Sequence, residues 1–473
     1  MPETQLWTSE DILMATGADL LWGNRDIPFP DIGTDSRKRK PDALFVALQG
    51  ENHDGHNFMK KALDAGYGGI LMEKSRWQEF SPILKNQNLP VFGVDNTLQA
   101  LGRLARYRLG IYGAKVLAVT GSNGKTSTKE MLGNIFRKQG PCLVTRGNFN
   151  NEIGLPLTLF QLKPMDLWAI LELGMNHPGE MERLSAICLP DMAVITRIAP
   201  AHLEGLGSVE GIAKAKGEIF THMKTGGSIL INGSDPHSQL IPLRQDRRVQ
   251  YFGQSDHCDF YMKNLACHAG GSSFDLCRQN KPPVAITLNI PGTMMAENAL
   301  AAAAAALMAG VPENLIQEGL SEFTGCPGRF RPMTTEVGFT VIDDTYNANP
   351  DSMEAALKQT RLMDKKGRTF AILGSMGELG EEAPALHRHV GSLAAKAGIS
   401  ALYACGPNGT DIAYGARSAG LEEVFCENKE TIASMILPGL MPGDQVLVKG
   451  SRSMSMESVV DQLMQAARTA PRK

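Results

Sequence analysis

No two of the eight cysteines in this 473-residue chain (142, 188, 258, 267, 277, 326, 405 and 426) stand in C-x-x-C spacing. Neither a zinc site nor a disulfide framework is therefore expected, and the cysteines read as buried thiols in a reducing compartment. An excess of one charge is also lacking: Lys+Arg 47 against Asp+Glu 50 leaves a net charge of -3. That balance gives no bulk positive field to hold nucleic acid or an anionic membrane, so a polyanion would have to be met locally. The longest apolar run, Ala299 to Val311, is too short and too alanine-rich to span a bilayer and predicts a buried helix. The opening MPETQLWTSEDILM lacks a basic region followed by an apolar stretch, so it is no secretory signal. A soluble cytoplasmic chain is expected, with no membrane insertion and no nucleic-acid partner.

The chain does have length. At roughly 150 residues per domain it suggests about three domains, and 43% hydrophobic residues suffice for several separate cores. Short apolar strands (Ala43 to Leu48, Gly69 to Met72, Pro90 to Val94) and a helical stretch from His56 to Ala65 predict a small α/β unit over 1–95. From Thr97 a helical pattern leads to Lys115-Val-Leu-Ala-Val-Thr120, a buried-strand run ending in a glycine-rich turn, as a doubly wound domain begins. Strands at Leu167 to Leu173, Met192 to Thr196 and Gly227 to Ile231, each beside a helical segment, predict a parallel sheet with helices on both faces over 96–328. A β-rich stretch from Asp256 to Pro291 and a helix from Met295 to Ala309 follow. Beyond a glycine and proline cluster at 325–332, strands at Thr340 to Asp343, Thr369 to Leu373, Ala401 to Ala404 and Gln445 to Val448 predict a Rossmann-like third domain over 329–473. The expected fold class is α/β in three domains.

Thr120-Gly-Ser-Asn-Gly-Lys-Thr126 lies between a predicted strand and a helix. Backbone N–H groups of such a turn, the helix N-terminus and the Lys125 ammonium make a phosphate cradle, and the Thr126 hydroxyl can ligate magnesium. The full P-loop pattern asks for glycine where Val119 stands, which leaves an ordinary βα turn with a solvated lysine as the alternative. Glu172 ends the apolar run Leu167 to Leu173, where an acid can face the crevice of an open parallel sheet or be an exposed acid on an edge strand. His202 follows another strand and is either a ligand or a hydrogen-bonded loop histidine. Lys214 and Lys216 read as the solvated face of a helix. Asp343-Asp-Thr-Tyr-Asn-Ala-Asn-Pro350 places acids, a tyrosine and asparagines just beyond a strand, a polar loop whose Asn-Pro is also plain turn chemistry.

Taken in order, these segments resemble the Mur ligases, ATP-dependent amide-bond-forming enzymes of peptidoglycan precursor synthesis, over nearly the whole chain. TDSR and FVALQGENHDGH resemble the uridine-nucleotide-binding first domain, and TGSNGKTSTKEM the family's shortened P-loop. ELGMNHPGEM, AHLEGLGS and AKGEIF are similar to its metal-site segments. GNFNNEIGLPLTL, DDTYNANPDSM, ILGSMGELG and LVKGSRSMSME look most like members that add D-alanyl-D-alanine to UDP-N-acetylmuramoyl-tripeptide. One departure is Met294-Met295, where the family often has His-Asn shortly before the asparagine matching Asn298.

The resemblance implies a reaction through an acyl phosphate, with ATP and two magnesium ions. It implies that Gly121, Ser122, Asn123, Gly124, Lys125, Thr126 and Ser127 hold the nucleotide with Asn298, Arg329 and Asp344. Thr126 and Glu172 would hold one ion, and His202 with a carbamylated Lys216 the other. Lys216 rather than Lys214 aligns, because the family pattern has a large apolar residue three positions on, here Ile219. Lys125, Glu172, His202, Lys216 and Asp344 would be the catalytic set. Ser36 and Arg37 would touch the uridine nucleotide, Asn148, Asn150 and Asn151 the muramoyl peptide, and Tyr346, Asn347 and Asn349 the dipeptide. A monomer is expected. A neighbouring ligase adding one amino acid, a folyl-polyglutamate synthetase, and a P-loop ATPase or kinase are the competing readings.

Overall fold

The computed structural model describes residues 6–50, 53–243, 246–268, 270–363 and 367–469. Three sheets organise it. The first is built from β1 (Asp19–Trp22), β2 (Ile32–Gly33), β3 (Leu44–Val46), β4 (Gly69–Glu73) and β5 (Val91–Val94), in the order β1-β5-β4-β3-β2. Its pairs are parallel except β1 with β5. The short strands β1 and β2 at its edges are too brief for a legible alternation in the sequence.

The second sheet has nine strands: β6 (Lys115–Thr120), β7 (Cys142–Val144), β8 (Trp168–Glu172), β9 (Met192–Ile195), β10 (Ser228–Asn232), β11 (Arg248–Gly253), β12 (Phe260–His268), β13 (Gly271–Arg278) and β14 (Lys281–Leu288). Their order is β14-β13-β12-β11-β10-β9-β6-β8-β7. The strands from β7 to β12 pair in parallel, and β12, β13 and β14 continue the same sheet as an antiparallel meander. β11 escapes the sequence reading because Arg248-Val-Gln-Tyr mixes polar and apolar residues on a strand buried only toward its end. The alanine-rich helix Thr293–Met308 is buried along its length. Its small side chains let it pack closely between the strands and the helix Lys125–Gln139, as close-packed interiors require.

The third sheet contains β15 (Arg331–Thr334), β16 (Thr340–Asp344), β17 (Thr369–Gly374), β18 (Ala401–Cys405), β19 (Val424–Cys426) and β20 (Gln445–Lys449), ordered β15-β16-β20-β17-β18-β19. Only β15 is antiparallel to its neighbour. The linker is shorter than the 325–332 cluster, because Arg331 and Pro332 already pair with Asp343 and Ile342.

The expectation of several cores holds in part: one apolar cluster belongs to the first unit alone, from Ala43 to Val91, and one to the third alone, from Phe339 to Ala467, while two others cross between units. One of these two runs from Trp7 in the first unit to Ile241 in the second, with Trp7 packed edge-on against Phe160. A second runs from Leu117 in β6 to Leu447 in β20, so the second and third units share apolar packing. Among the described residues no helix is long and apolar enough to cross a membrane.

Candidate functional site

Parallel strands align their carboxyl ends, and loops leaving that edge form the crevice where ligands sit in open α/β sheets. The second sheet delivers Thr120, Glu172 and Asn232 to this edge, and the third delivers Asp344 and Lys449. The two edges face one cavity of about 920 Å³, lined from both sides.

The turn after β6 builds the floor. Val119 is fully buried as a strand residue, so the loop proper begins at Gly121. Gly121 has φ +151, and a Cβ there would lie 2.0 Å from Thr196 Oγ1. Gly124 has φ +85, and a Cβ would lie 2.3 Å from Asn298 Oδ1. Both positions exclude side chains, and at Gly124 this leaves the backbone on the cavity lining. The Ser122 hydroxyl ties the loop to Ala199, donating to its carbonyl at 2.8 Å and accepting its N–H at 2.9 Å. Lys125 Nζ donates to the Gly121 carbonyl at 2.7 Å. Burial pulls the Lys125 ammonium down to about 8, against the nearby Glu172 carboxylate and with help from Arg329.

Glu172 is no edge-strand acid. It sits on β8, between β6 and β7, and is 2% exposed. Its backbone N–H donates to Thr145 Oγ1 at 3.0 Å, and Asn150 Nδ2 donates to its Oε1 at 2.9 Å. Its Oε2 is buried without a hydrogen-bond partner among the described residues. An ionised oxygen in that condition is costly unless a cation meets it, so the donor set fits a metal ion beside the phosphate loop. Lys129, fully buried, supports the same corner by donating to the Thr145 carbonyl at 2.7 Å.

The expectation of a solvated helix face fails for one of the two lysines. In the helix Val209–Gly217, Lys214 is exposed and Lys216 is 1% exposed. No carboxylate pairs with Lys216 among the described residues, and burial, with the Lys125 charge, pushes its ammonium well below the ordinary lysine range. Lys216 is not among the residues that line the cavity. His202 is on the lining, with φ 56, and its Nδ1 bonds Glu378 Oε2 of the third unit. No group of three or more His, Cys, Asp or Glu side chains forms a metal cluster among the described residues. The expected ligand sets, which draw on a threonine and a modified lysine, are of a different kind.

The third unit docks on the phosphate loop. Arg329 donates to Thr126 Oγ1 at 3.2 Å and stacks on the Tyr346 ring at 3.9 Å. Two consecutive carboxylates clamp its neighbours: Asp343 accepts the Gly328 N–H at 2.9 Å and Asp344 the Phe330 N–H at 3.1 Å. Asp344 also pairs with Lys449 at 2.7 Å, and Lys449 donates to the Asn347 carbonyl at 2.9 Å. Burial raises the Asp344 carboxyl and lowers the Lys449 ammonium, each opposed by the other's charge. Asn349 caps the helix Pro350–Leu362, accepting the Ser352 N–H at 2.8 Å, and its Nδ2 donates to Asn123 Oδ1 at 3.0 Å. Asn123 Nδ2 donates to Asp351 at 2.7 Å, and Arg197 reaches the same carboxylate at 2.9 Å.

The cavity thus gathers Ser122 to Ser127, Asn150, Asn151, Glu172, His202, Asn298, Arg329, Asp344, Tyr346, Asn347 and Asn349. It does not gather Gly121, Lys216, Asn148, Ser36 or Arg37. Asn148 is exposed on the turn before Asn150. Arg37 extends from the first unit and bonds Asp35 at 2.8 Å, while Glu51 and Asn52 of the FVALQGENHDGH segment lie outside the described residues. Lys449, Asp351, Arg197, Gln254 and Glu297 were not singled out from sequence. Lys449 and Asp351 stand inside segments that carried the resemblance, which was their only signal.

Known proteins resemble this chain over most of its length. The Mur ligase family catalytic domain matches residues 29–108, the Mur ligase middle domain 119–306, and the Mur ligase glutamate ligase domain 328–452. The UDP-N-acetylmuramoyl-tripeptide--D-alanyl-D-alanine ligase of Escherichia coli (strain K12) is 37% identical over 446 residues, covering 93% of this chain and 95% of that protein. A crystal structure of MurF from Acinetobacter baumannii superposes with a TM-score of 0.88 at 30% identity, covering 98% of this chain and 100% of that one. The MurF ligase of Thermotoga maritima in complex with ADP gives a TM-score of 0.81 at 27% identity, covering 93% of this chain and 98% of that one. With its phosphate loop, its buried acid and its third unit closed over both, the chain belongs to the Mur ligase family.

Proposed function

We propose that the chain is an ATP-dependent ligase that joins D-alanyl-D-alanine to the terminal carboxylate of UDP-N-acetylmuramoyl-tripeptide, releasing ADP and phosphate. The observation that carries this reading is the meeting of the phosphate loop and Glu172 with Arg329 and Tyr346 across one cavity. The similarity to ligases of that name over most of the chain supports the substrates. We assign 1–95 to the uridine-nucleotide end of the substrate, 96–328 to ATP and 329–473 to the dipeptide, acting as a monomer in the cytoplasm.

The tripeptide carboxylate oxygen attacks the γ-phosphorus of ATP and the bond to the β-phosphate oxygen breaks, giving an acyl phosphate and ADP. The dipeptide amine then attacks the acyl carbon, phosphate leaves, and the amine gives up a proton. Both steps ask the protein for positioning and charge neutralisation rather than covalent chemistry. Lys125 and Arg329 screen the triphosphate from the incoming carboxylate. Asn123 to Ser127 present backbone N–H groups to the phosphates, while the Ser122 N–H is held by the Arg197 carbonyl at 2.7 Å. Asp344 has both oxygens engaged within the protein, so its part is to hold the linker and with it Arg329. Asn150 and Asn151 lie on the muramoyl-peptide side, Tyr346 and Asn347 on the dipeptide side. Closure of the third unit over the loop keeps water from the acyl phosphate.

Magnesium ions held by Thr126 with Glu172, and by His202 with Lys216, would neutralise the charge of the meeting anions. The unpartnered Glu172 Oε2 supports the first site. For the second, Lys216 is buried with no carboxylate paired to it among the described residues, the setting in which a neutral Nζ adds carbon dioxide, forming an N–C bond and releasing a proton to become an anionic oxygen donor.

The test is phosphate release from ATP and magnesium with UDP-muramoyl tripeptide, comparing D-alanyl-D-alanine, single amino acids and no amine, with mass spectrometry of the product. Release that depends on the dipeptide, with a product heavier by the dipeptide less water, is expected. Release indifferent to the amine, or served only by a single amino acid, overturns the assignment.

A further inference from the structure

The family's usual His-Asn before Asn298 is replaced here by Met294-Met295, and Met295 is buried. Asn298 stays on the cavity lining, and any further polar partner for the base comes from other lining residues. The order of strands says where. Glu172, Asn150 and Asn151 occupy the β8 and β7 side of the phosphate loop, so a nucleoside leaving the loop runs the other way, past β9 and β10 toward β11. Three strand spacings of about 4.8 Å put the end of β11 roughly 14 Å from that of β6, a span comparable to an extended nucleoside triphosphate from its terminal phosphate to its base.

At that end the cavity is lined by Asn232, Phe252, Gln254, Met294 and Glu297. The Asn232 amide is already committed: Nδ2 donates to the Thr196 carbonyl at 3.0 Å, and Oδ1 accepts the Ser234 N–H at 3.0 Å. Phe252 and Met294 offer apolar surface. Gln254 Nε2 donates to Glu297 Oε1 at 2.6 Å. This bond leaves the glutamine carbonyl oxygen and the second carboxylate oxygen of Glu297 as acceptors that receive no hydrogen bond from the described residues, while the Arg197 guanidinium of the same cavity, paired with Asp351, acts on Glu297 through its charge. Adenine presents a 6-amino donor on its edge, whereas guanine and hypoxanthine present a 6-oxo acceptor. Acceptors attract the first and repel the second, so one pair both selects and rejects.

We propose that Gln254 and Glu297 read the 6-amino group of the adenine base and so select 6-amino over 6-oxo purine nucleotides. This rests on the ATP reading above for the direction in which the nucleotide lies. Equilibrium binding of ADP and of IDP to the full chain with magnesium tests it separately from turnover. ADP is expected to bind about tenfold or more tightly than IDP, one hydrogen bond gained against one acceptor clash. In the double variant Gln254→Leu, Glu297→Leu the preference should fall below about threefold, because no acceptor pair remains. Glu297→Gln should raise IDP affinity, since an amide can donate to a 6-oxo group. Equal affinities in the unaltered chain, or a preference that survives the double variant, overturn the inference. A chain that prefers ADP but joins no dipeptide counts against the proposed ligase and supports this inference. One that joins the dipeptide while binding both nucleotides equally refutes only the inference. Binding of neither nucleotide refutes both.

Discussion

Lys449 and Asp344, the last residues of two adjacent parallel strands, form an ion pair of 2.7 Å in which the side chains are 2% and 9% exposed. The pair locks the end of the third sheet to the linker, because Asp344 also accepts the Phe330 N–H next to Arg329. Charges so deeply buried are tolerated only when paired and hydrogen-bonded.

Lys449→Met should therefore destabilise the fold by about 3 kcal/mol by leaving Asp344 unpaired, while Asp344→Asn with Lys449→Met should recover part of that loss. Denaturant unfolding of the two single variants and the double variant measures the coupling. Additive effects would show that the pair does not act as a unit.

Lys125→Ala should slow ligation at least about a thousandfold, because it removes the cation of the phosphate loop. Lys216→Ala should slow it at least about a hundredfold, and short-chain carboxylates should restore part of the rate by occupying the space of the proposed carbamate. A Lys216→Ala enzyme with full activity and no response to carboxylates would remove the second-metal proposal.

Asp351 ties Asn123 of the phosphate loop and Arg197 to the helix that follows Asn349. Asp351→Ala should raise the KM for ATP about threefold to tenfold, a range set by the partial exposure of the pair. Steady-state kinetics at fixed tripeptide and dipeptide read the change.

His387 is fully buried, and its Nε2 accepts the Met376 N–H at 2.8 Å while Nδ1 meets the Ala383 carbonyl at 2.6 Å. Burial lowers its pKa below the usual value near 6.5. Below that value the unfolded chain binds the proton more readily than the folded one, so the contribution of His387 is complete above pH about 6.5 and is lost as pH falls toward the folded value. His387→Gln keeps an acceptor for Met376 and should flatten this part of the stability profile, as thermal unfolding across pH 5 to 8 would show.

Much of the architecture was legible because strands buried on both faces are continuous apolar runs, as in Lys115 to Thr120 and Thr369 to Leu373. The phosphate loop was legible because its chemistry is local: a strand, two glycines that a side chain would obstruct, a lysine and a helix start within a few residues. What failed was short or half-exposed. β7 and β11 lack a clean period, and the shared cores could not be foreseen from composition, which carries no information on which apolar faces meet.

The sequence by itself determined the elements, the loop and the segments by which the family is recognised, since each depends on residues close along the chain. Tertiary structure decided which of two neighbouring lysines is buried, that Glu172 keeps an unpartnered oxygen, and that Arg329 meets Thr126 and Asp351 meets Asn123. Those partners lie more than 200 residues apart. Their meeting follows from the carboxyl edges of two parallel sheets facing one cavity, a relation set by packing between units that no local pattern encodes.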